Sequence, residues 1–174
     1  MEDVMLSHDR AVESHPTVDS TQFRRVFGML PTSVAVIGTH TPGGPAGMTV
    51  GTLSSVSLDP PLVGFMPRHD ASMVARIGDA DGMFSASILS SKQAVQAREM
   101  SARDRREGDG EWVESPRGLP ILAGSIAWIE AKVEAIHDAG DHKLVIARVL
   151  DLSDHEPGHP LVFYRGEFHA LGEK

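Results

Sequence analysis

Hydrophobic residues recur along this chain with two different periods, one typical of helices and one typical of strands. Phe23, Val26 and Phe27 are spaced to share one face of a helix, which predicts a helix that begins near Thr21 and that Pro31 ends. Helical spacing returns twice more. It predicts one helix from residue 70 or 72 to residue 80, and another from residue 90 or 91 to about residue 102.

The other apolar segments are short, and they either contain β-branched residues or alternate with polar ones, as strands do. Pro60 and Pro61 interrupt them, because proline cannot donate to a sheet ladder. The segments do not repeat in strand–helix–strand units, which favours an antiparallel barrel with helical additions over a doubly wound sheet. Strands are predicted over residues 33–39, 48–58, 62–66, 83–89, 125–136, 142–152 and 161–171.

Two segments in the second half of the chain have the clearest polar patterns. Over residues 125–136, alanine, isoleucine and valine form one apolar face, whereas Trp128 and Glu130 lie on the opposite face with further charged residues. Residues 103–118 form the longest polar stretch, which predicts a charged loop around Trp112.

The composition is typical of a folded globular protein. The chain has 174 residues, of which 41% are apolar and 23% charged. This length predicts a hydrophobic core large enough to fold without disulfides or a structural metal ion. The absence of cysteine excludes disulfides, thiolate metal sites and cysteine nucleophiles. The net charge of −8 argues against nucleic acid as a partner, because phosphate binding depends on a basic surface.

The beginning of the chain and its apolar runs bear on domain organisation and location. Residues 1–20 show no period and are expected to form a flexible arm, which one domain over residues 21–174 follows. The first ten residues lack the basic-then-apolar order of a signal peptide. No apolar run approaches the roughly 20 residues that a membrane helix requires. We therefore expect a cytoplasmic protein that engages no membrane.

The first candidate site is a strand with little side-chain bulk, residues 48–52. Thr49, Gly51 and Thr52 leave backbone N–H groups and hydroxyls that can lie flat against a planar polar ring. The alternative is a tightly packed strand that uses glycine to bend.

Two further segments combine polar residues with a turn. Arg68 and His69 precede a predicted helix and suit a phosphate group, although Asp70 would repel an anion and capping by Asp70 or Ser72 explains the same residues. His142 follows a Gly140 turn, where an imidazole can face a ligand, although an exposed surface turn explains it too.

Metal binding is not expected. His155 and His159 are four residues apart, but Pro157 and Gly158 lie between them and prevent a single helical turn from presenting both. No Gly-rich phosphate loop follows a strand. The sequence also offers little for acid–base or nucleophilic catalysis, so that in an enzyme a cofactor must supply the difficult chemistry.

These segments occur in a fixed order with two others. Phe-Arg-Arg-Val-Phe-Gly at residues 23–28 precedes Leu-Pro-Thr-Ser-Val-Ala-Val-Ile at residues 30–37, and Phe-Tyr-Arg-Gly-Glu-Phe-His at residues 163–169 closes the chain. With the Gly-Met-Thr to Asp-Pro-Pro string of residues 47–61 and the Gly-Asp-His turn of residues 140–142, this set resembles the flavin reductase-like family. The resemblance covers about residues 21–171.

The resemblance implies a mainly β fold, a Greek-key-like split β-barrel that binds FMN and has a few short helices. It implies a homodimer with flavin near the subunit interface. Members reduce FMN or FAD with NADH or NADPH, and a separate flavin-dependent monooxygenase consumes the reduced flavin. The expected reaction is direct hydride transfer from nicotinamide C4 to flavin N5.

Positions that match the family motifs give the expected site. Residues 48–52 would line the isoalloxazine, residues 68–73 match a phosphate segment, and residues 140–142 match a turn associated with the nicotinamide cofactor. His142 is the candidate catalytic residue, expected to position the dinucleotide and not to take a proton. The full set is Thr32, Ser33, Met48, Thr49, Val50, Gly51, Thr52, Arg68, His69, Asp70, Ala71, Ser72, Met73, Gly140, Asp141, His142, Tyr164 and Arg165.

The chain departs from the family pattern in its phosphate segment. Residues 70–73 retain only Ser72 of the frequent Ser-Ser-Ser-Thr, and Gly51-Thr52 replaces a frequent Asn-Ser. A weakened phosphate seat predicts loose flavin binding, which suits a flavin used as substrate. The alternatives are a barrel that retains flavin to reduce another acceptor, and a flavin-binding module that has lost its activity.

Overall fold

The computed structural model describes residues 18–102, 107–154 and 158–171. Most of the predicted arm, and His155, lie outside the described residues. The helices are α1 (Ser20–Phe27), α2 (Met73–Asp79) and α3 (Ala94–Ser101). The strands are β1 (Thr32–Ser33), β2 (Ala35–Thr41), β3 (Gly44–Val50), β4 (Ser54–Leu58), β5 (Pro61–Phe65), β6 (Met83–Ile88), β7 (Trp112–Glu114), β8 (Pro120–Leu122), β9 (Ala127–Ala139), β10 (His142–Asp154), β11 (Leu161–Tyr164) and β12 (Glu167–Ala170).

The main sheet has seven strands in the order β3-β2-β6-β9-β10-β5-β4, and every pair in it is antiparallel. Its two edge strands, β3 and β4, are joined by residues 51–53 alone, which span at most about 14 Å. The two edges must therefore approach each other, and the sheet curls into a barrel. Among the described strands, β3 and β4 do not pair, so the barrel is left open between them. The predicted split barrel is confirmed.

Two predicted strands are each divided in the structure. The segment 48–58 leaves the sheet at Gly51 and returns as β4 on the opposite edge, so it forms parts of two strands and not the single strand predicted. The segment 161–171 folds into the hairpin of β11 and β12, because Arg165 and Gly166 adopt φ angles of +52° and +85° and reverse the chain. This hairpin forms a separate three-stranded sheet with β1.

The core has two parts, one on each side of β2. Ala35 and Ile37 point into the barrel cluster that also holds Phe65 and Phe84, whose rings meet edge to face at 5.4 Å. Val36 points the other way, into a cluster that α3 and the terminal sheet complete. Both faces of β2 are buried, because the barrel fills one face and the added elements cover the other.

Only part of the predicted polar face of residues 125–136 is exposed, because Lys132 and Glu134 face solvent whereas Trp128 and Glu130 do not. Trp128 is buried, and Glu130 is fully buried with its Oε1 accepting hydrogen bonds from Ser115 Oγ and from Arg117 N at 2.9 Å. The predicted loop around Trp112 supplies this cover, because it contains β7, which pairs with β8 and lies over the barrel wall.

The predicted helices are present with small changes of bounds. The Asp19 side chain caps α1 by accepting a hydrogen bond from Gln22 N at 3.1 Å, and none of the residues of α1 is buried. The third helix begins at Ala94, later than predicted. No helix among the described residues is long and apolar enough to cross a membrane.

Candidate functional site

A pocket of about 500 Å³ opens at the free edge of β3. The segment after β5, helices α2 and α3, and the tip of the β9–β10 hairpin form its other walls. This volume falls in the range of small-molecule sites, which is roughly 300–1,000 Å³. The lining residues are Gly47, Met48, Thr49, Val50, Gly51, Thr52, Met66, Pro67, Arg68, Asp70, Ala71, Ser72, Met73, Arg76, Met100, Ser101, Ala102 and His142.

The register of β2 determines which amides of β3 are unused by the sheet. Val34 O accepts from Leu89 N on the β6 side, so alternation directs Ala35 towards β3, where it pairs with Val50. The amides of Thr49 and Gly51 therefore point away from β2, at the edge where the pocket lies. The pocket wall thus presents main-chain donors that no strand of the main sheet uses.

The hydroxyls of Thr49 and Thr52 join β3 to the other walls of the pocket. Thr49 Oγ1 donates to Ala97 O at 2.8 Å, which ties β3 to α3. Thr52 Oγ1 accepts from Met66 N at 2.9 Å, which ties the end of β3 to the end of β5. The expectation that these hydroxyls lie free against a ligand ring is thus modified: each already has a structural hydrogen bond.

Backbone hydrogen bonds join the segment after β5 to the β9–β10 hairpin tip. Lys143 N donates to Pro67 O at 2.9 Å, and His69 N donates to Asp141 O at 3.1 Å. Arg68 and His142 face each other in an isolated antiparallel bridge between these bonds. Two segments far apart in sequence therefore place both side chains in one wall.

Arg68 and His142 in this wall have carboxylate neighbours. Arg68 Nε lies 3.0 Å from Asp70 Oδ1, and this hydrogen bond raises the pKa of the already strongly basic Arg68. His142 Nδ1 lies 2.7 Å from Asp141 Oδ1, and the hydrogen bond with His142 lowers the pKa of the Asp141 carboxyl below its ordinary value. Both acids are exposed, so these pairs are in contact with solvent.

Ser72, in the predicted phosphate segment, has a hydroxyl that does not cap the helix. It occupies the N-cap position of α2, but its side chain makes no capping hydrogen bond, contrary to the simple capping interpretation. It is exposed and lines the pocket.

The structure brings most of the predicted site residues into one pocket and leaves seven outside its wall. Thr32 lies just behind it: a Cβ atom added to Gly51 would be 2.9 Å from Thr32 Oγ1. Ser33 pairs with Val162 in the terminal sheet. The others outside the wall are His69, Gly140, Asp141, Tyr164 and Arg165.

Tyr164 and Arg165 lie at the turn of the terminal sheet, where they contact each other and α1. The Arg165 guanidinium stacks on the Tyr164 ring at 5.2 Å, and Arg165 N donates to Gly28 O at 3.0 Å. Within this chain Arg165 holds the terminal sheet against the end of α1, and neither residue lines the pocket.

Sequence reasoning missed seven lining residues. Gly47 directly precedes the predicted strand, and Met66 and Pro67 directly precede the predicted phosphate segment, so continuity along the chain could have found them. Arg76 and the end of α3 had no local signal, because only the tertiary fold brings α2 and α3 to the same pocket. The missed lining residues are Gly47, Met66, Pro67, Arg76, Met100, Ser101 and Ala102. Among the described residues, no group of three or more potential ligands could hold a metal ion.

Comparison with known proteins agrees with the fold. Residues 27–172 match the flavin reductase like domain family. The reductase subunit HsaB of a flavin-dependent monooxygenase from Rhodococcus jostii (strain RHA1) is 38% identical over 155 residues, which cover 88% of this chain and 79% of that protein. The FMN reductase (NADH) SmoA from Agrobacterium fabrum (strain C58 / ATCC 33970) is 37% identical, with 86% and 85% covered.

Solved structures agree. BorF, the flavin reductase component of a bacterial two-component tryptophan halogenase, superposes with a TM-score of 0.82 and is 32% identical, over 90% of this chain and all of that one. The NADH:FAD oxidoreductase SgcE6 of Streptomyces globisporus C-1027, in complex with NAD and FAD fragments, has a TM-score of 0.81 at 32% identity, with 88% and 93% covered.

Proposed function

The chain belongs to the flavin reductase-like family, and on that premise we propose that it is an NAD(P)H:flavin oxidoreductase that reduces FMN or FAD. The observation that carries the proposal is the pocket at the free edge of β3, which gathers residues 48–52, Arg68 and His142 around one volume of about 500 Å³. Relatives named as an NADH-dependent FMN reductase and an NADH-dependent FAD reductase support the same reaction.

The wall formed by β3 suits a flat, polar-edged ring. The amides of Thr49 and Gly51 face away from the sheet, towards the pocket, and no strand of the main sheet uses them. Met48 and Met73 add apolar surface. Main-chain donors held by a rigid strand stabilise negative charge that develops on a bound ring, without reorganisation.

The opposite wall would orient the nicotinamide cofactor. His142 lies at the start of β10, where the backbone bonds to Pro67 and from His69 hold the hairpin tip against the β5 segment. Asp141 fixes its ring through Nδ1, and 38% of the His142 side chain remains exposed. We assign His142 a positioning role towards the dinucleotide, with no proton transfer.

The chemistry comes from the two substrates: NADH or NADPH gives up a hydride, and the flavin accepts it and is released reduced. The protein's own contribution is proximity and orientation. Thr49 and Thr52 keep the frame of the pocket closed, and Ser72 offers a hydroxyl that the helix leaves unused.

A flavin-dependent monooxygenase is the proposed consumer of the reduced flavin, as the name of the R. jostii relative describes for that protein. We also propose a cytoplasmic homodimer. The exposed apolar side chains of α1, with Phe23, Val26 and Phe27 each more than half exposed, support a second copy that covers this helix. Sedimentation equilibrium that gave the monomer mass at micromolar concentration would contradict the dimer.

The oxidation of NADH and NADPH, followed by the loss of absorbance of the reduced nicotinamide, tests the proposed activity. FMN, FAD and riboflavin are added in turn, and one reaction contains no flavin. Oxidation that saturates with added flavin is the expected result. Oxidation without added flavin would indicate a retained flavin and another acceptor, and folded protein with no oxidation would indicate an inactive flavin-binding module.

A further inference from the structure

Arg76 is a cation of the pocket wall whose acidic partner is distant in sequence. It lies on α2, one turn after Met73, and 27% of its side chain is exposed. Its Nη2 lies 3.0 Å from Oε1 of Glu107, a residue of the segment that follows α3. The guanidinium thus faces both the pocket and a carboxylate of the same chain.

Glu107 also lies against the turn between β2 and β3. A Cβ atom added to Gly43 would lie 2.3 Å from Glu107 Oε2, so the carboxylate occupies space that a side chain at Gly43 would need. The next amide, Gly108 N, donates to Pro45 O at 2.7 Å and anchors this segment to the β2–β3 hairpin. The position of the carboxylate therefore does not depend on Arg76 alone.

Arg68 and His142, the other basic residues of the pocket, differ from Arg76 in where their partners come from. Asp70 is two residues from Arg68, and Asp141 is the neighbour of His142, so each of those pairs belongs to one turn. The partner of Arg76 comes from another part of the fold, and the contact can be broken without distorting a turn.

We propose that Arg76 binds a phosphate group of the ligand in this pocket, and that Glu107 competes with that phosphate for the guanidinium. The inference rests on the proposed function. A guanidinium presents paired N–H donors that fit carboxylate and phosphate alike. A phosphorylated ligand also approaches a chain of net charge −8, which weakens its binding further. This chain therefore distinguishes poorly between phosphorylated and phosphate-free ligands.

Dissociation constants for riboflavin and FMN, measured by quenching of flavin fluorescence, test the proposal. In Glu107→Gln the carboxylate is lost, and the Kd for FMN falls by roughly three- to tenfold, the range expected for a partly exposed ion pair, whereas the Kd for riboflavin changes by less than about twofold. Arg76→Gln raises the Kd for FMN selectively. Glu134→Gln, which removes one negative charge from a pair with Arg148 away from the pocket, leaves both values unchanged.

The phosphate can belong to the flavin or to the dinucleotide, and a second arm separates the two. KM for NADH is compared with KM for reduced nicotinamide riboside, which lacks phosphate, in the same variants. A selective change in the flavin arm assigns Arg76 to the flavin phosphate, and one in the dinucleotide arm assigns it to the pyrophosphate; either supports the proposal.

The role of Arg76 and Glu107 would be overturned if wild type and Glu107→Gln had the same ratio of Kd for FMN to Kd for riboflavin, and the same ratio of KM for NADH to KM for reduced nicotinamide riboside. It would also be overturned if Glu134→Gln shifted these ratios as much as Glu107→Gln does. The proposed function fails separately. It is contradicted if the folded wild-type protein oxidises neither NADH nor NADPH with any flavin, riboflavin included, whereas activity with unchanged ratios refutes this inference alone.

Discussion

Thr49 Oγ1 donates a hydrogen bond to the backbone carbonyl of Ala97 at 2.8 Å, and this bond ties the edge strand of the barrel to the last helix. The residue lines the pocket, yet its hydroxyl is directed at the protein. A side chain that the sequence presents as a ligand contact thus fixes the distance between two walls of the site.

Removing this hydroxyl should loosen the pocket. Thr49→Val keeps the shape of the side chain but leaves Ala97 O without its donor, and we expect a loss of about 1 kcal/mol in the free energy of unfolding. KM for the flavin rises because α3 is less firmly held. Thr49→Ser retains the hydroxyl and serves as the control; denaturant unfolding and steady-state kinetics measure both. Equal behaviour of the two variants would refute the structural role.

Gly47 is required by the close approach of Trp112. A Cβ atom at position 47 would lie 2.7 Å from Trp112 Cη2 and 2.9 Å from Val36 Cγ1. Gly47→Ala should therefore cost roughly 1–3 kcal/mol in the free energy of unfolding, as overpacking does.

Gly78 provides the matched control for that substitution. It lies within α2, and a Cβ atom there meets nothing within 4 Å. Gly78→Ala should stabilise the protein by about 0.5–1 kcal/mol, because alanine forms helix better than glycine. Thermal unfolding of the two variants should shift in opposite directions, and a stabilised Gly47→Ala would show that Trp112 moves aside without cost.

Glu130 carries a prediction about stability. Its fully buried carboxylate accepts from Ser115 Oγ and Arg117 N, and it holds the turn before β8 against β9. Glu130→Gln replaces one acceptor oxygen with a donor and should cost about 1–3 kcal/mol. Glu134→Gln on the exposed part of the same strand should change the free energy of unfolding by less than about 1 kcal/mol. Guanidinium unfolding measures both variants, and equal losses in the free energy of unfolding would contradict the role of Glu130 in holding this turn.

The sequence predicted the barrel, the positions of most strands along the chain and three helices, because alternation and helical spacing are local signals. It gave no sign that Glu130 is buried, because the hairpin around Trp112 that covers this part of the polar face has no period of its own. It joined β3 to β4, because the exit of Gly51 from the sheet depends on barrel closure. Arg76 was missed for the same kind of reason: its neighbour Glu107 is close only in the folded chain.

Asp141 should titrate at unusually low pH. The hydrogen bond from His142 lowers the pKa of this carboxyl in the folded protein, so the contact stabilises the fold at and above the ordinary aspartate pKa and is lost as pH falls through the lowered value. Carboxyl NMR should detect a midpoint below about 3.9, the unperturbed value, and in His142→Ala the midpoint should return towards it. A midpoint that is unchanged by the substitution would show that His142 is not the cause.

His142 separates the two halves of the proposed site. It faces the pocket from the hairpin tip, whereas the flavin wall is built on β3, so His142→Ala should raise KM for NADH several-fold and leave the flavin Kd within about twofold, because no shared contact links the two. Asp141→Asn should give a smaller change in the same direction, since it removes the charge that orients the ring. His137→Ala, an exposed histidine of the same hairpin outside the pocket, controls for loss of a histidine. Equal losses of NADH and flavin affinity in His142→Ala would place this residue at a point that both ligands share.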